Sequence, residues 1–439
     1  MFLYELARKV NHRLRAEKKR RAGLVASPVR RIEAVYPPKG ERLCAMTFDD
    51  GPDALPPVPD TGGGEALTKT LVDTLRARGF TATFDVVGDT SENYPDEKGE
   101  KDTFYWGGER YDHYPDFGRD ELAGAKNRPE LVRYILDAGF EISNHGYRHL
   151  IFGKSRVYAK RVPLEGPAEV LADLRRLHEL VAGEYGYEMK LARPPHYVDN
   201  IAGGATSYDM YELMGYNYMA ASFDGAGWMP QKGSFEEDVE KTMVEPLRRA
   251  LEADENALNG KIVFQKDGCN MSGFTPIAAA LPRQLEILAR YGYRVCSVGE
   301  LLQKSPFEDL APEHDCFGSV RALLREGFAV GCRNNTFNPD RVFTFGDLCM
   351  ALCPKEERER RVLRLIAGEK DIGGFDVKDP YAGALHWAKA AGLEKGKNDP
   401  AAGGDMKRLL SAAGYGDAIT EKPRYTRAEA VCEIGRAVK

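Results

Sequence analysis

The sequence predicts an α/β fold: a mostly parallel sheet, open or closed into a barrel, followed by a smaller all-α repeat region. Three observations lead there. Short apolar runs alternate with helical patterns between residues 43 and 304. Polar, Gly- and Pro-rich clusters follow the ends of several runs, and α/β folds carry their chemistry at the C-terminal ends of the strands. After residue 304 the alternation stops and a helical plan appears twice.

The first 31 of the 439 residues carry ten Lys/Arg against two Glu, with Leu3, Leu6, Ala7, Val10 and Leu14 at helical spacing. A basic helix or arm over residues 1–37 is expected, packing one stripe on the body or docking on an anionic membrane surface. No signal-type apolar stretch follows the basic residues. A net charge of -5 gives no sign of a nucleic-acid partner, and no apolar run is long enough for a transmembrane helix. Eight cysteines without a CxxC pair argue against a disulfide framework and fit a reducing setting.

Strands are expected at 43–48, 81–87, 140–144, 189–193, 218–223, 261–265 and 294–298. The helices between them bury one face, through Leu67, Leu71 and Leu75 in one and Val170, Leu174, Leu177 and Val181 in another. Residues 89–126 form a long connection rich in Tyr, Asp and Gly, of the kind that is functional or disordered. Its aromatics could stack on a sugar ring or pack the loop on itself.

The rim clusters read "TFDDGP" with Asp49 and Asp50, "NHGYRH" with His145 and His149, "ARPPH" around Arg193, "FDGAGW" with Asp224 and Trp228, and "FQKDG" with Lys266. Two histidines four residues apart can present imidazoles to one ion, and a carboxylate from another strand end supplies a third ligand. Each cluster alone also reads as an ordinary turn, a rigid loop or packing.

In this order the motifs resemble those of polysaccharide deacetylases, the NodB-homology group of carbohydrate esterase family 4, across residues 38–304. The resemblance implies a distorted (β/α) barrel of about seven strands that removes N-acetyl groups from a peptidoglycan- or chitin-like glycan. It implies that Asp50, His145 and His149 bind one divalent ion, most often zinc in that family. Asp49 would be the general base, oriented by a charge pair of Arg193 and Asp224. Pro195, His196, Tyr197, Trp228 and Phe264 would line the substrate side, with a backbone N–H near the double proline facing the oxyanion. Three positions depart from the pattern. Gly146 replaces a hydroxyl residue, His196 an aromatic, and Lys266 the general-acid histidine. Lys266 could donate a proton or act as a fixed cation.

Over residues 305–439, Gly327 and Gly331 match Gly392 and Gly396, and "T-x-x-[DE]" opens helices at Thr344 and Thr426. These repeats resemble S-layer homology motifs, which bind secondary cell-wall polymers. The resemblance implies polymer contacts from Thr426, Arg427 and Glu429. The first repeat lacks the Arg, and two repeats are counted where that family assembles three.

Two rivals to the deacetylase remain at this level. One is a catalytically inactive glycan- or cell-wall-binding protein; the other is a cytosolic amidohydrolase for a small molecule. The resemblance implies the cell envelope, while the N-terminal sequence leaves a cytoplasmic or membrane-surface site open.

Overall fold

The computed structural model describes residues 22–62, 65–89, 101–106, 109–111, 122–153 and 163–439. The expected basic helix falls mainly on residues 1–21, outside the described residues. The chain divides into two compact units, residues 32–305 and residues 306–439 together with the segment before residue 32. Residues 22–31, expected in an N-terminal arm, therefore belong to the second unit.

In the first unit the strands are β1 (Arg31–Ile32), β2 (Arg42–Asp49), β3 (Thr83–Val86), β4 (Lys101–Trp106), β5 (Glu109–Tyr111), β6 (Glu141–Asn144), β7 (Leu191–Ala192), β8 (Asn217–Met219), β9 (Phe223–Asp224), β10 (Ile262–Lys266) and β11 (Tyr293–Cys296). Helices α1 (Leu67–Arg76), α2 (Pro129–Asp137), α3 (Pro167–Tyr185), α4 (Ser207–Met214), α5 (Phe235–Asp238), α6 (Glu245–Ala253), α7 (Pro276–Arg290) and α8 (Val298–Lys304) alternate with them. The main sheet runs β1-β8-β7-β6-β3-β2-β10-β9, with β11 also on β2. The ladders from β8 through β9, and β11 on β2, are parallel.

The sheet curls back on itself through residues 32–35. Ala220 N–H donates to the Ile32 carbonyl, and Ile262 N–H donates to that of Glu33. The predicted α/β barrel class is therefore the observed one. Two details differ. The run at 218–223 breaks into β8 and β9. The long connection contains β4 and β5, an antiparallel pair.

Helix faces follow the expected period. Leu67, Leu71 and Leu75 on α1 and Val170, Leu174, Leu177 and Val181 on α3 are fully buried. Ile32, Val35, Leu43, Ala45, Leu191, Met219, Ile262 and Cys296 form a core cluster among the strands. Among the described residues no helix is long and apolar enough to cross a membrane.

The second unit is helical, with α9 (Phe317–Arg325), α10 (Phe345–Leu352), α11 (Lys355–Ile366), α12 (Ala382–Ala390), α13 (Gly403–Ala412) and α14 (Arg427–Ala437) around one apolar core. Both "T-x-x-[DE]" sequences form capping boxes, Thr344 with Asp347 and Thr426 with Glu429. A third helix start, invisible to a Thr-based pattern, lies at Ala402, whose N–H donates to Asp405 at 2.9 Å. The three starts lie side by side. Phe343 N–H donates to the Tyr425 carbonyl and Ala401 N–H to the Phe343 carbonyl.

Arg427 corrects an expectation. It is fully buried, 3.0 Å from Asp347, and donates to the Val330 carbonyl at 3.1 Å. Asp347 is equally buried and also meets Arg341 and Tyr381 at 3.3 Å. Helix α14 turns inward at its first residue, so Arg427 cross-links the unit instead of presenting its charge to a polymer. Thr426 and Glu429 are occupied in the cap. Removing one partner of a buried pair typically costs about 3–5 kcal/mol, and losing a cap about 1 kcal/mol. Arg427→Met should therefore lower the stability of the full chain several times more than Thr426→Ala in denaturant unfolding. Equal, small losses would contradict the assignment.

Candidate active site

The parallel register puts the chemistry on one level. Lys266 on β10 aligns with Asp49 on β2, Asp49 with Asp85 on β3, and Asp85 with Ser143 on β6. Beyond Asp49 the chain turns sharply. Asp50 has φ 79°. The close approach that needs a glycine is at Gly51, where a Cβ would lie 2.0 Å from an Asp267 oxygen.

The histidines sit in a loop after β6, not on a helix. Gly146 has φ 83°, which explains a glycine there, and His149 has φ 54°. Asp173 on α3 braces this loop, accepting from Tyr147 N–H at 2.7 Å and from Arg148 at 2.9 Å. Asn144 accepts from Gly146 N–H at 2.9 Å. Among the described residues, five non-glycine residues with positive φ lie at this rim: Asp50, His149, His196, Tyr197 and Ala226. Strain of this kind concentrates where function requires it.

Nε2 of His145 and of His149 lie 3.2 and 3.0 Å from Oδ1 of Asp50. A tetrahedral ion with ligands at about 2.0–2.1 Å sets them about 3.3 Å apart. One carboxylate and two imidazoles at this spacing fit a divalent ion and leave its remaining positions open. Asp49, Asp85 and His145 also lie within mutual reach, but Arg193 engages Asp49. Ser143 donates to Asp85 at 2.5 Å.

Arg193 is fully buried under Asp49. It ion-pairs with that carboxylate and donates to Thr47 at 3.1 Å and to the Met219 carbonyl at 3.3 Å. Its guanidinium lies 5.4 Å from the Tyr197 ring and 5.6 Å from the Phe264 ring, within cation–π range. The expected Arg193–Asp224 pair does not form. Asp224 aligns with Phe264, two residues short of the level of Asp49 and beyond β10. It is exposed, and accepts from Ala226 N–H at 2.7 Å and from the Trp228 indole at 3.1 Å. Pro195 is buried, and His196 and Tyr197 follow it half-buried, the His196 ring 5.1 Å from that of His149.

Burial pushes the Asp49 carboxyl up to about 7, in spite of Arg193 and His145. Asp50 is held well below the usual carboxylate range; burial opposes this, but Lys266 and His149 outweigh it. Burial alone would lower the His145 imidazole, yet Asp85 and Asp49 carry it well above its ordinary value. Burial, with His145 and Lys266, lowers His149 despite Asp50. Binding a metal at His145 therefore displaces a proton.

Sequence reasoning missed two buried carboxylates. Asp85 reads as an interior strand residue in "TATFDVV", yet its Oδ2 lies 2.9 Å from Nδ1 of His145. The Arg193 carbonyl shares that nitrogen at 2.8 Å. Asp267 accepts from Thr68 at 2.6 Å, and burial pushes it up to about 7. For Asp85 a polar residue inside an apolar run was the only available signal, whereas Asp267 stands in the rim cluster "FQKDG" beside Lys266.

Residues 37–200 match the family model described as polysaccharide deacetylase. The peptidoglycan-N-acetylglucosamine deacetylase of Bacillus cereus is 26% identical over 267 residues, covering 61% of this chain and 91% of that protein. Among solved structures, a peptidoglycan deacetylase from Bacillus subtilis is 18% identical, with TM-score 0.39 over 60% of this chain and 92% of that one. The chitin deacetylase of the fungal pathogen Colletotrichum lindemuthianum is 20% identical, with TM-score 0.42 over 64% and 95%. The match to the family model falls within the barrel unit, where the candidate site lies.

The Arg193 carbonyl holds the hydrogen bond of His145 Nδ1, while the Asp85 charge raises the basicity of the imidazole; losing a carboxylate behind a ligating histidine typically costs about 10–100-fold in metal affinity. Asp85→Asn should weaken zinc binding by that factor in titration calorimetry, with the fold retained by circular dichroism. Unchanged affinity would leave Asp85 a structural residue only.

Proposed function

We propose that the barrel unit is a metal-dependent hydrolase that removes N-acetyl groups from a glycan of the peptidoglycan or chitin kind. The observation that carries this reading is the Asp50–His145–His149 cluster beside a buried, Arg-paired Asp49. A divalent ion held by Asp50, His145 and His149 would polarise the acetamide carbonyl and acidify a water. Asp49 takes the proton from the attacking water; a carboxyl raised to about 7 is a stronger base than an ordinary aspartate and is half ionised near neutral pH. Arg193 fixes Oδ1 of Asp49, and Oδ2 lies 3.7 Å from Nε2 of His145, on the side of the ligand cluster.

The Tyr197 and Val198 N–H groups donate to the Pro194 and Pro195 carbonyls at 2.9 and 3.2 Å, so a backbone contact to the developing oxyanion would come from His196. Trp228 and Phe264, both half-buried on the rim, supply apolar surface for the acetyl group or sugar. The leaving amine needs a proton. Lys266 lies 2.5 Å from Asp50 and serves as donor or as a fixed charge. The metal is zinc by resemblance. The substrate in the name of the Bacillus cereus relative, a peptidoglycan N-acetylglucosamine, is the first to try. Polymer binding by the second unit, if present, must use surfaces other than Arg427.

The test is acetate release from N-acetylglucosamine oligomers and from peptidoglycan, with and without zinc. Wild type should release acetate, and Asp49→Asn should lose about 10²–10⁴-fold in rate, the usual worth of a general base. The base must be ionised, so the rate should fall as pH drops through an acid limb. That limb lies at or below about pH 7, because a nearby dication lowers the Asp49 value further. A folded, zinc-loaded protein that is inert on every N-acetylated glycan would favour the binding-protein reading.

A further inference from the structure

Lys266 meets Asp50 in a way that proton donation does not require. Its Nζ lies 2.5 Å from Oδ2, while Oδ1 of the same carboxylate faces the two imidazoles. The two oxygens are divided between an ammonium and the ligand pair. Little solvent reaches either group: the lysine side chain is 12% exposed and that of Asp50 20%. Lys266 is also held in place. It ends β10 in register with Asp49.

We propose that Lys266 is the resident counter-cation of Asp50 and sets the affinity of the Asp50–His145–His149 site for a divalent ion. The inference rests on the metal-site reading above and goes beyond it. Without metal, Asp50 is an ionised carboxylate in a nearly dry site, and the ammonium stabilises it. Loading brings a second positive charge to the same carboxylate, so it proceeds against Lys266. The site is thereby tuned to a weaker, exchangeable affinity than its three ligands alone would give. A unit charge within about 4–6 Å moves an ionic equilibrium by roughly one to three powers of ten.

The test uses full-length protein stripped of metal and titrated with zinc against a chromophoric chelator. Lys266→Leu and Lys266→Gln should bind zinc at least about tenfold tighter than wild type, and Lys266→Arg should stay close to wild type. His149→Ala should bind more weakly than all of them. A second readout covers folding. Metal-free Lys266→Leu should melt below wild type, with the gap narrowing or reversing at saturating zinc. If both neutral variants bind zinc no tighter than wild type while His149→Ala still weakens it, the counter-cation role is overturned and the metal site stands. If His149→Ala changes nothing, or no protein binds zinc, the metal-site reading falls and the inference with it.

Discussion

The barrel unit is organised around giving each acidic side chain of the site a close partner where water is scarce. Asp49 and Asp85 are buried, and Asp50 is four-fifths so. An isolated charge in such a place costs several kcal/mol, so each needs a partner close at hand. Arg193 serves Asp49, Lys266 serves Asp50, and Ser143 with His145 serves Asp85. The partners come from three strand ends, those of β6, β7 and β10. Only a parallel sheet in one fixed register brings them level, and a one-residue slip would turn the set away from one another.

This constraint explains much of the surrounding backbone. Asp267 crowds the turn after Asp49, so Gly51 has no room for a side chain. The histidine loop takes left-handed conformations at Gly146 and His149, and Asp173 reaches across from α3 to hold it. The second unit answers the same problem differently. There a single carboxylate, Asp347, is surrounded by Arg427, Arg341 and Tyr381 and ties the helix starts together. One arrangement leaves donor atoms facing outward for chemistry; the other consumes them in packing.

The strand runs and the rim clusters were legible because apolar alternation and Gly/Pro-rich ends survive in any register. Asp50, His145 and His149 were legible as a set for the same reason. Asp85 was not, since its significance depends on which strand lies beside β3, and "TATFDVV" carries no mark of that. The Arg193–Asp224 pair was expected from the order of motifs, but order does not fix height along a strand, and Asp224 stands too low. Arg427 looked available because its tetrapeptide matched a binding motif. Burial is set by residues far away in the chain, at Asp347 and Val330. The helix start at Ala402 escaped because its backbone N–H donates to Asp405 with no Thr at the cap position to mark it.

The central claim is that Asp50, His145 and His149 hold one divalent ion beside Asp49. Anomalous diffraction from zinc-soaked crystals, recorded at the zinc edge, tests it most directly. The account predicts one strong peak in the barrel, about 2.0–2.2 Å from Oδ1 of Asp50 and Nε2 of both histidines. A barrel with no peak at those three atoms, or with zinc seated instead between Asp49, Asp85 and His145, would contradict it.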